Sequence, residues 1–242
     1  MLYEDLKDNY DFIFPLSKDM VEYFIQIIEN RKINEKVGVL DIGCATGSLA
    51  IELSKTADSV VGIDLDAGMI NIAKSRLEAK NSNVIFKNMN ALEIGNVFSK
   101  DQFDVVSCLG NTLVHLDGVS EIDRLFSGVR KILKKDGLFI IQIINYDYIL
   151  KNRIDRLSDI IHKDIKFERY YKYNQEKNRI TFETKIINSN ETLENKVELY
   201  PFLIRELEDT AAKNGFKDVK LYSSYKKDKF SIDNIYYISE IC

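Results

Sequence analysis

The sequence predicts an α/β fold in which a mostly parallel sheet is covered by helices on both faces. Five short segments rich in Val and Ile have the near-continuous hydrophobicity of strands buried on both faces, as a parallel sheet requires. Helical patterns separate these segments, and such alternation implies right-handed crossovers. The predicted strands are residues 37–43, 59–65, 83–89, 103–110 and 138–144.

The helices predicted around these strands show apolar side chains at helical spacing. The clearest helix covers residues 118–134, where the apolar side chains fall on one stripe. Asp117 is placed to cap its start, and Gly137 follows its end. A further helix, at about 18–31, precedes the first strand.

Beyond residue 145 the pattern changes to alternating strands. Residues 166–173 and 179–187 predict an antiparallel hairpin, and residues 195–201 predict a third strand. A helix follows, with Pro201 near its first turn and Gly215 beyond its end, and two further strands complete the chain. We expect one domain over residues 1–242, with a core of 1–145 and 201–242 and an inserted, mostly antiparallel lid at 146–200.

Composition and charge narrow the class of protein. The net charge of -4 provides no positive field to hold a phosphate backbone, so no nucleic-acid partner is expected. The N-terminus lacks the features of a signal peptide, and no apolar run approaches the roughly 18–20 residues that span a bilayer. We therefore expect a cytoplasmic protein without a membrane partner. The widely spaced Cys44, Cys108 and Cys242 favour neither a disulfide framework nor a metal site.

The first strand–helix junction, VLDIGCATGSLAIEL, is the first candidate binding element. Ligands of open parallel sheets bind beyond the carboxyl ends of the strands. Gly43 and Gly47 allow the backbone to turn tightly and to approach a ligand, and Ala45 is the smallest substitute for a third glycine. The spacing is GxxxG rather than GxGxxG, which disfavours a nicotinamide cofactor. The alternative is a tight turn without a ligand.

The ends of the second and third strands supply polar candidates. Asp64 lies 21 residues after Gly43, where a carboxylate can accept both hydroxyls of a ribose. Asp66 is predicted to cap the next helix. Met69 is either part of an adenine pocket or a core methionine, and Asn90 either bonds an adenine edge or forms an Asx turn. Together these residues predict a nucleoside site.

These motifs resemble those of the class I S-adenosylmethionine-dependent methyltransferases. VLDIGCATG, VVGIDLDAGMI, NMNAL, FDVVSCLGN and LKKDGLFIIQI occur in that family's order and spacing. The resemblance implies a Rossmann-like fold, S-adenosylmethionine as cofactor and S-adenosylhomocysteine as product. The cofactor-binding residues that it implies are Asp41, Gly43, Cys44, Ala45, Gly47, Asp64, Leu65, Met69, Asn90, Ala91 and Leu109. Asn90 stands where an aspartate is commoner, so the charge is lost there.

A narrower resemblance, over nearly the whole chain, is to the glycine and sarcosine N-methyltransferase relatives. It rests on NYDFIF, CLGNTLVHL, QIINYDYIL, FERYYKYN and VELYPFLIRELEDTAAKNGF. In that family the asparagine of LGN and several tyrosines face the methyl-transfer centre. The positions implied here are Asn111, Tyr10, Tyr146, Tyr170 or Tyr171, and Tyr200. Packing in the sheet or lid is the alternative for each tyrosine.

The expected acceptor is a small molecule. The glycine enzymes carry an arginine just before NYD, whereas this sequence has Ile144, which cannot grip a carboxylate. This disfavours glycine itself, and Arg169 and Arg205 are the candidates to replace that arginine. His115 is either a base for the acceptor or a structural histidine. We expect an N-methyltransferase of a small amine; the alternatives are O-methylation of a small carboxylate or hydroxyl, and binding of S-adenosylmethionine without turnover.

Overall fold

The larger of two sheets has seven strands. The structure, a computed structural model, describes residues 10–32, 36–77, 83–189 and 191–242. The strands are β1 Gly38–Ile42, β2 Ser59–Asp64, β3 Val84–Asn88, β4 Phe103–Cys108, β5 Leu133–Ile144, β10 Val219–Tyr222 and β11 Tyr236–Ile241. Their order is β10-β11-β5-β4-β1-β2-β3, in which β1 to β5 are parallel and β11 is antiparallel to both of its neighbours. The predicted α/β fold is confirmed.

Helices and apolar side chains cover both faces of this sheet. Neighbouring residues of β5 belong to different buried clusters, Phe139 with Phe126 on one face and Ile140 with Phe24 on the other. The helices are α1 Tyr10–Ile13, α2 Lys18–Lys32, α3 Ser48–Leu53, α4 Ala67–Ser75, α5 Ile94–Val97, α6 Val119–Ile132, α7 Tyr146–Lys151 and α8 Ile204–Lys213. Within the described ranges, no helix has both the length and the apolar character that crossing a membrane requires.

Two details around α6 differ from the prediction. Asp117 does not cap the helix: the N-cap is Gly118, and the Asp117 carboxylate pairs instead with Arg179 of the second sheet. β5 follows α6 directly, five residues earlier than the apolar pattern indicates. Leu133 pairs with Phe103, and the register then shifts before Leu138. The residues between Leu133 and Leu138 are charged or glycine, so the apolar pattern did not predict that β5 begins at Leu133. An irregular strand edge needs no apolar side chains.

The second sheet contains β6 Arg156–His162, β7 Ile165–Asn174, β8 Arg179–Ile187 and β9 Thr192–Leu199, in that order and antiparallel. The predicted hairpin is therefore present, while the third strand begins at Thr192 rather than at 195. β6 was not predicted, because its sequence RLSDIIH mixes charged and apolar residues without regular alternation. One face of the sheet is buried: Tyr171, Ile180 and Leu199 belong to the same cluster as Phe139 of the larger sheet.

Candidate cofactor and acceptor site

The turn between β1 and α3 follows a left-handed path. Gly43, Ala45 and Gly47 all have positive φ, at 72°, 47° and 78°. A Cβ on Gly43 would lie 2.5 Å from Thr112 Oγ1, and a Cβ on Gly47 would lie 2.4 Å from Cζ of Phe86. From the sequence, both glycines were expected to allow a tight turn and the approach of a ligand, with a tight turn alone as the alternative. The structure shows that packing within the protein already requires them, and that Ala45 adopts the turn conformation without being glycine.

Asp64 is held rigidly at the carboxyl end of β2. Its Oδ2 accepts a hydrogen bond from the Ala45 N–H (2.9 Å), and its Oδ1 accepts one from the Asp66 N–H (2.8 Å). Burial raises the pKa of this carboxyl. Each carboxylate oxygen has two acceptor sites, so both can still accept a ligand hydroxyl. This geometry is compatible with the predicted contact of Asp64 with a ribose, which stays a prediction.

The backbone beside Asp64 is fixed by a residue whose role the sequence analysis missed. Asn88 Nδ2 donates to the carbonyl oxygens of Asp64 (3.0 Å) and Leu65 (2.8 Å). Leu65 is 72% exposed although it is a large apolar residue, so an apolar surface stands next to the carboxylate. A hydrophobic surface beside polar acceptors suits a nucleoside, which has an apolar base and a polar sugar. The sequence signal that could have identified this role is the amide side chain at the end of the neighbouring strand, β3.

Asp41 is a second carboxylate at this edge and, unlike the half-buried Asp64, it is buried. It is 4% exposed, and Ser107 on the neighbouring β4 donates its hydroxyl to Oδ1 at 2.7 Å. Burial raises its pKa to about 7, although the Ser107 bond opposes this; the nearby Asp64 raises it further. In the part of the chain that the structure describes, neither carboxylate has an ion-pair partner. A cationic ligand would stabilise both charges, and S-adenosylmethionine, with its sulfonium and amino groups, therefore fits this site.

The raised pKa of Asp41 gives a stability prediction. The folded protein binds this proton more tightly than the unfolded chain, whose value is near 3.8, so stability falls as pH rises from about 4 to about 7. Asp41→Asn removes this titration. We expect the free energy of unfolding of the ligand-free variant to rise relative to wild type across that window, as measured by urea unfolding at several pH values. A difference that does not change with pH would contradict the buried-acid assignment.

The remaining residues predicted to bind adenine have local structural partners. The prediction that Asp66 caps α4 is confirmed, because its Oδ1 accepts from the Met69 N–H (3.0 Å). The Met69 side chain is buried, and Asn90 Oδ1 accepts from the Leu92 N–H (2.9 Å) in an Asx turn ahead of the half-buried Ala91. Contacts of Met69, Asn90 and Ala91 with adenine stay predictions.

Two other predicted cofactor residues lie on either side of the β1–β4 crevice. Cys44 is buried, and its Sγ lies 3.0 Å from the position of a Cβ on Gly62, so its side chain packs against β2. Leu109 follows β4, and its carbonyl oxygen accepts from Thr112 Oγ1 at 2.6 Å. For both residues, a contact with the cofactor stays a prediction.

Helix α1 is bound to the glycine turn by a polar cluster that the sequence analysis did not predict. Asp11 Oδ1 accepts from Thr46 Oγ1 (2.6 Å) and Ser48 Oγ (3.0 Å), and Arg76 pairs with Oδ2. Burial opposes ionisation of Asp11, but the hydrogen bonds from these three residues outweigh it and lower its pKa. The charged form therefore holds α1 beside the predicted cofactor site. Partners this distant along the chain leave no local sequence signal.

Asn111 and Tyr146, both predicted to line the acceptor site, are in direct contact, while their contact with an acceptor stays a prediction. Asn111 has a left-handed φ of 67°; its Oδ1 accepts from the Ile144 N–H (3.2 Å), and its Nδ2 donates to the Tyr146 hydroxyl (3.0 Å). The Tyr146 side chain is fully buried. The asparagine thus ties the end of β4 to the end of β5.

Tyr10 reaches the same edge from α1. Its hydroxyl lies 4.0 Å from where a Cβ on Gly110 would stand, directly before Asn111. Its ring lies 5.2 Å from that of Phe14, so α1 presents an aromatic surface here. The predicted role of Tyr10 in binding the acceptor is compatible with this position and stays a prediction.

The structure distinguishes Tyr171 from Tyr170. Tyr171 lies on the buried face of the second sheet, and burial raises its pKa to about 12. Tyr170 lies on the opposite face, donating its hydroxyl to Glu168 (2.7 Å) beneath the Arg156 guanidinium. Of these two tyrosines, only Tyr171 therefore faces the larger sheet.

Tyr200 and His115 complete the predicted set. The Tyr200 hydroxyl is bonded to Glu206, and the Arg179 guanidinium lies 5.2 Å from the centre of its ring. His115 ends the short helix Thr112–His115, and the surrounding protein lowers its pKa to about 4. His115 is therefore neutral at pH 7 and a weak base. A contact of Tyr200 or His115 with an acceptor stays a prediction.

Comparisons with known proteins match part of this chain to methyltransferases. Residues 39–137 match the methyltransferase-domain family. The chain is 33% identical over 124 residues to a methyltransferase of Geobacillus sp., and 34% identical over 122 residues to the glycine N-methyltransferase of Mus musculus. These matches cover 50% and 46% of this chain, and 49% and 42% of the relatives. The chain thus spans about half the length of these relatives.

The match to a solved structure extends over the whole chain. An S-adenosylmethionine-dependent methyltransferase from Clostridium acetobutylicum superposes with a TM-score of 0.81 and 14% identity, covering 100% of this chain and 98% of that one. At this identity the likeness shows the fold.

Residues 39–137 therefore belong to the methyltransferase-domain family, and the chain as a whole has the fold of the S-adenosylmethionine-dependent methyltransferases. Its cofactor is S-adenosylmethionine, as the sequence predicted. The narrower resemblance to glycine N-methyltransferase is only distant, since that match covers less than half of either chain.

Proposed function

We propose that this chain transfers the methyl group of S-adenosylmethionine to the nitrogen of a small amine. The observation that carries this proposal is the pair of carboxylates formed by the buried Asp41 and the half-buried Asp64, which lack cationic partners in the described ranges. They lie at the carboxyl ends of β1 and β2, next to the end of β4, where Asn111 and Tyr10 also lie. The similarity to mouse glycine N-methyltransferase supports nitrogen as the acceptor atom.

The residues of the chain bind, orient and cover the reactants. When bound, S-adenosylmethionine supplies a methyl group already activated by its sulfonium. Asp64 would hold the ribose, Asp41 would face the amino-acid end and Leu65 would lie against the base. Helix α1, fixed through Asp11, would exclude water from this region, and exclusion of water favours the neutral, nucleophilic form of an amine.

His115 favours an amine over a hydroxyl as the acceptor. A neutral amine attacks with its own lone pair, whereas a hydroxyl needs a base to take its proton. The surroundings of His115 lower its pKa to about 4, so it is poorly suited to deprotonate a hydroxyl. A base this weak makes O-methylation the less favoured chemistry.

The test is release of S-adenosylhomocysteine in a coupled assay across small amines, carboxylates, alcohols and phenols. We expect turnover with amines, and mass spectrometry should locate the added methyl group on nitrogen. Turnover confined to oxygen acceptors would overturn the assignment of the acceptor atom. Tight binding of S-adenosylmethionine without turnover of any acceptor would indicate a binding protein instead.

Asn111 is predicted to position the reactants rather than hold the cofactor. Asn111→Gly deletes the amide while accommodating the left-handed φ of 67°, so the change does not add backbone strain. We expect kcat to fall about 10- to 100-fold, since misplaced reacting groups cost that much, with the Kd for S-adenosylmethionine within a few-fold of wild type. Steady-state kinetics and calorimetry measure the two effects. Equal losses in kcat and in affinity for S-adenosylmethionine would contradict the assignment of Asn111 to the acceptor site.

A further inference from the structure

The buried face of the second sheet carries an unusual transverse row of polar side chains. Arg169, Thr184 and Asn195 lie side by side on three neighbouring strands, in direct register. The neighbouring rows on the same face are apolar or aromatic. One consists of Phe167, Ile186 and Leu193, and the other of Tyr171, Phe182 and Val197. The polar row therefore interrupts an otherwise hydrophobic surface.

Helix α1 connects the neighbourhood of this polar row with the predicted site. The Phe167 and Ile186 row packs against Ile13 of α1, and the row containing Tyr171 packs into the main core. Arg169 lies between these two rows. Asp11, on the same short helix as Ile13, contacts the glycine turn. Helix α1 therefore contacts both the glycine turn, through Asp11, and the row next to the polar row, through Ile13.

Each of the three side chains has a buried polar atom that finds no hydrogen-bond partner among the residues that the structure describes. These atoms are Arg169 Nε, Thr184 Oγ1 and Asn195 Nδ2, and Thr184 is only 1% exposed. Arg169 Nη2 donates to the Ser158 carbonyl oxygen (2.6 Å), but within the described ranges no carboxylate pairs with the guanidinium. Burial lowers the pKa of Arg169. Because folded proteins satisfy nearly all buried polar groups, this row points to a ligand.

The donors in the row define the chemistry of that ligand. A guanidinium, a hydroxyl and an amide N–H group together match the acceptor-only oxygens of a carboxylate or phosphate. We propose that Arg169, Thr184 and Asn195 form an oxyanion site that holds the methyl acceptor by an anionic group. This inference rests on the proposed function, because it names the class of acceptor. Arg205 does not take this role, since its side chain is 90% exposed and faces Asp209.

The test measures binding at equilibrium rather than turnover. Calorimetry of the protein saturated with S-adenosylhomocysteine would compare two probe pairs, glycine with glycinamide and O-phosphoethanolamine with ethanolamine. The first pair reports on a carboxylate and the second on a phosphate. We expect one oxyanion probe to bind about tenfold or more tightly than its partner, as hydrogen bonds to a charged group allow. Equal binding within both pairs, including no binding of any probe, would overturn the inference.

Variants then assign the preference to the row. Arg169→Met should abolish it, and Arg205→Met, which also removes one arginine, should retain it. Thr184→Val keeps the side-chain shape and should weaken the preference for the oxyanion probe by roughly 3- to 10-fold. If Arg169→Met does not fold, Thr184→Val tests the oxyanion site instead. A preference that survives in Arg169→Met, or in Thr184→Val at full strength, would contradict the site.

Stability provides a second readout. Arg169 is half-buried and has no carboxylate partner in the described ranges, so replacing it by an apolar side chain of similar length removes a desolvation penalty. We therefore expect the melting temperature of ligand-free Arg169→Met to be no lower than that of wild type; a marked drop would indicate that Arg169 supports the fold rather than a ligand. Failure of the proposed function would be distinguishable from failure of the oxyanion site. It would show as absence of methyl transfer to any amine, while the preference for the oxyanion probes could still be measured.

Discussion

Gly47→Ala is expected to lower the free energy of unfolding by about 2–5 kcal/mol. Two costs add at this position. The φ of +78° is disfavoured for any residue with a Cβ, and the new Cβ would lie 2.4 Å from the Phe86 ring and 2.9 Å from Cβ of Ala73. Rigid packing between α3, α4 and β3 leaves little room for either neighbour to move. Urea unfolding measures the loss.

Gly215→Ala is the matched control for this prediction. Gly215 has a φ of +79°, nearly equal to that of Gly47, but nothing lies within 4 Å of the position of its Cβ. Gly215→Ala should therefore incur only the backbone cost, about 1–2 kcal/mol. Phe86→Leu in the Gly47→Ala background should restore part of the lost stability. Equal effects of the two alanine variants would show that space around Gly47 does not matter.

Asp64→Ala is expected to raise the Kd for S-adenosylmethionine by about 100-fold or more, because it removes the proposed acceptor for two ribose hydroxyls, each worth about 1.5–3 kcal/mol. The substitution also removes the partner of the Ala45 N–H, so the glycine turn loses its link to β2. Isothermal titration with S-adenosylmethionine and with S-adenosylhomocysteine measures the effect. Both ligands should lose affinity alike, since they share the ribose.

Asp66→Ala separates this effect from a general loss of charge or stability. Asp66 is also an acid at the end of β2, but its carboxylate caps α4. Its removal should lower the free energy of unfolding by about 1 kcal/mol and leave the Kd within a few-fold of wild type. Affinity that is unchanged in Asp64→Ala, or reduced equally in both variants, would reject the assignment of Asp64 to the ribose.

The sequence was most informative where the chemistry is local. A carboxylate directly after a buried strand, as at Asp64, is brought to the carboxyl edge of a parallel sheet, because the strand direction determines where its last side chain lies. The cap at Asp66 is equally local, since donor and acceptor are three residues apart. Failures occurred where partners lie far apart in the chain. Asp117 pairs with Arg179 across 62 residues rather than capping its own helix.

The amino-acid sequence by itself determined the α/β fold and the cofactor, and it predicted the strand ends that would form the site, because hydrophobic periodicity and motif spacing are properties of neighbouring residues. Only the tertiary structure decided that Tyr171 rather than Tyr170 faces the larger sheet, that Asp11 ties α1 to the glycine turn, and that Arg169 is half-buried while Arg205 is exposed. Burial, strand register and the pairing of distant charges depend on how elements pack, and no single segment of the sequence encodes them.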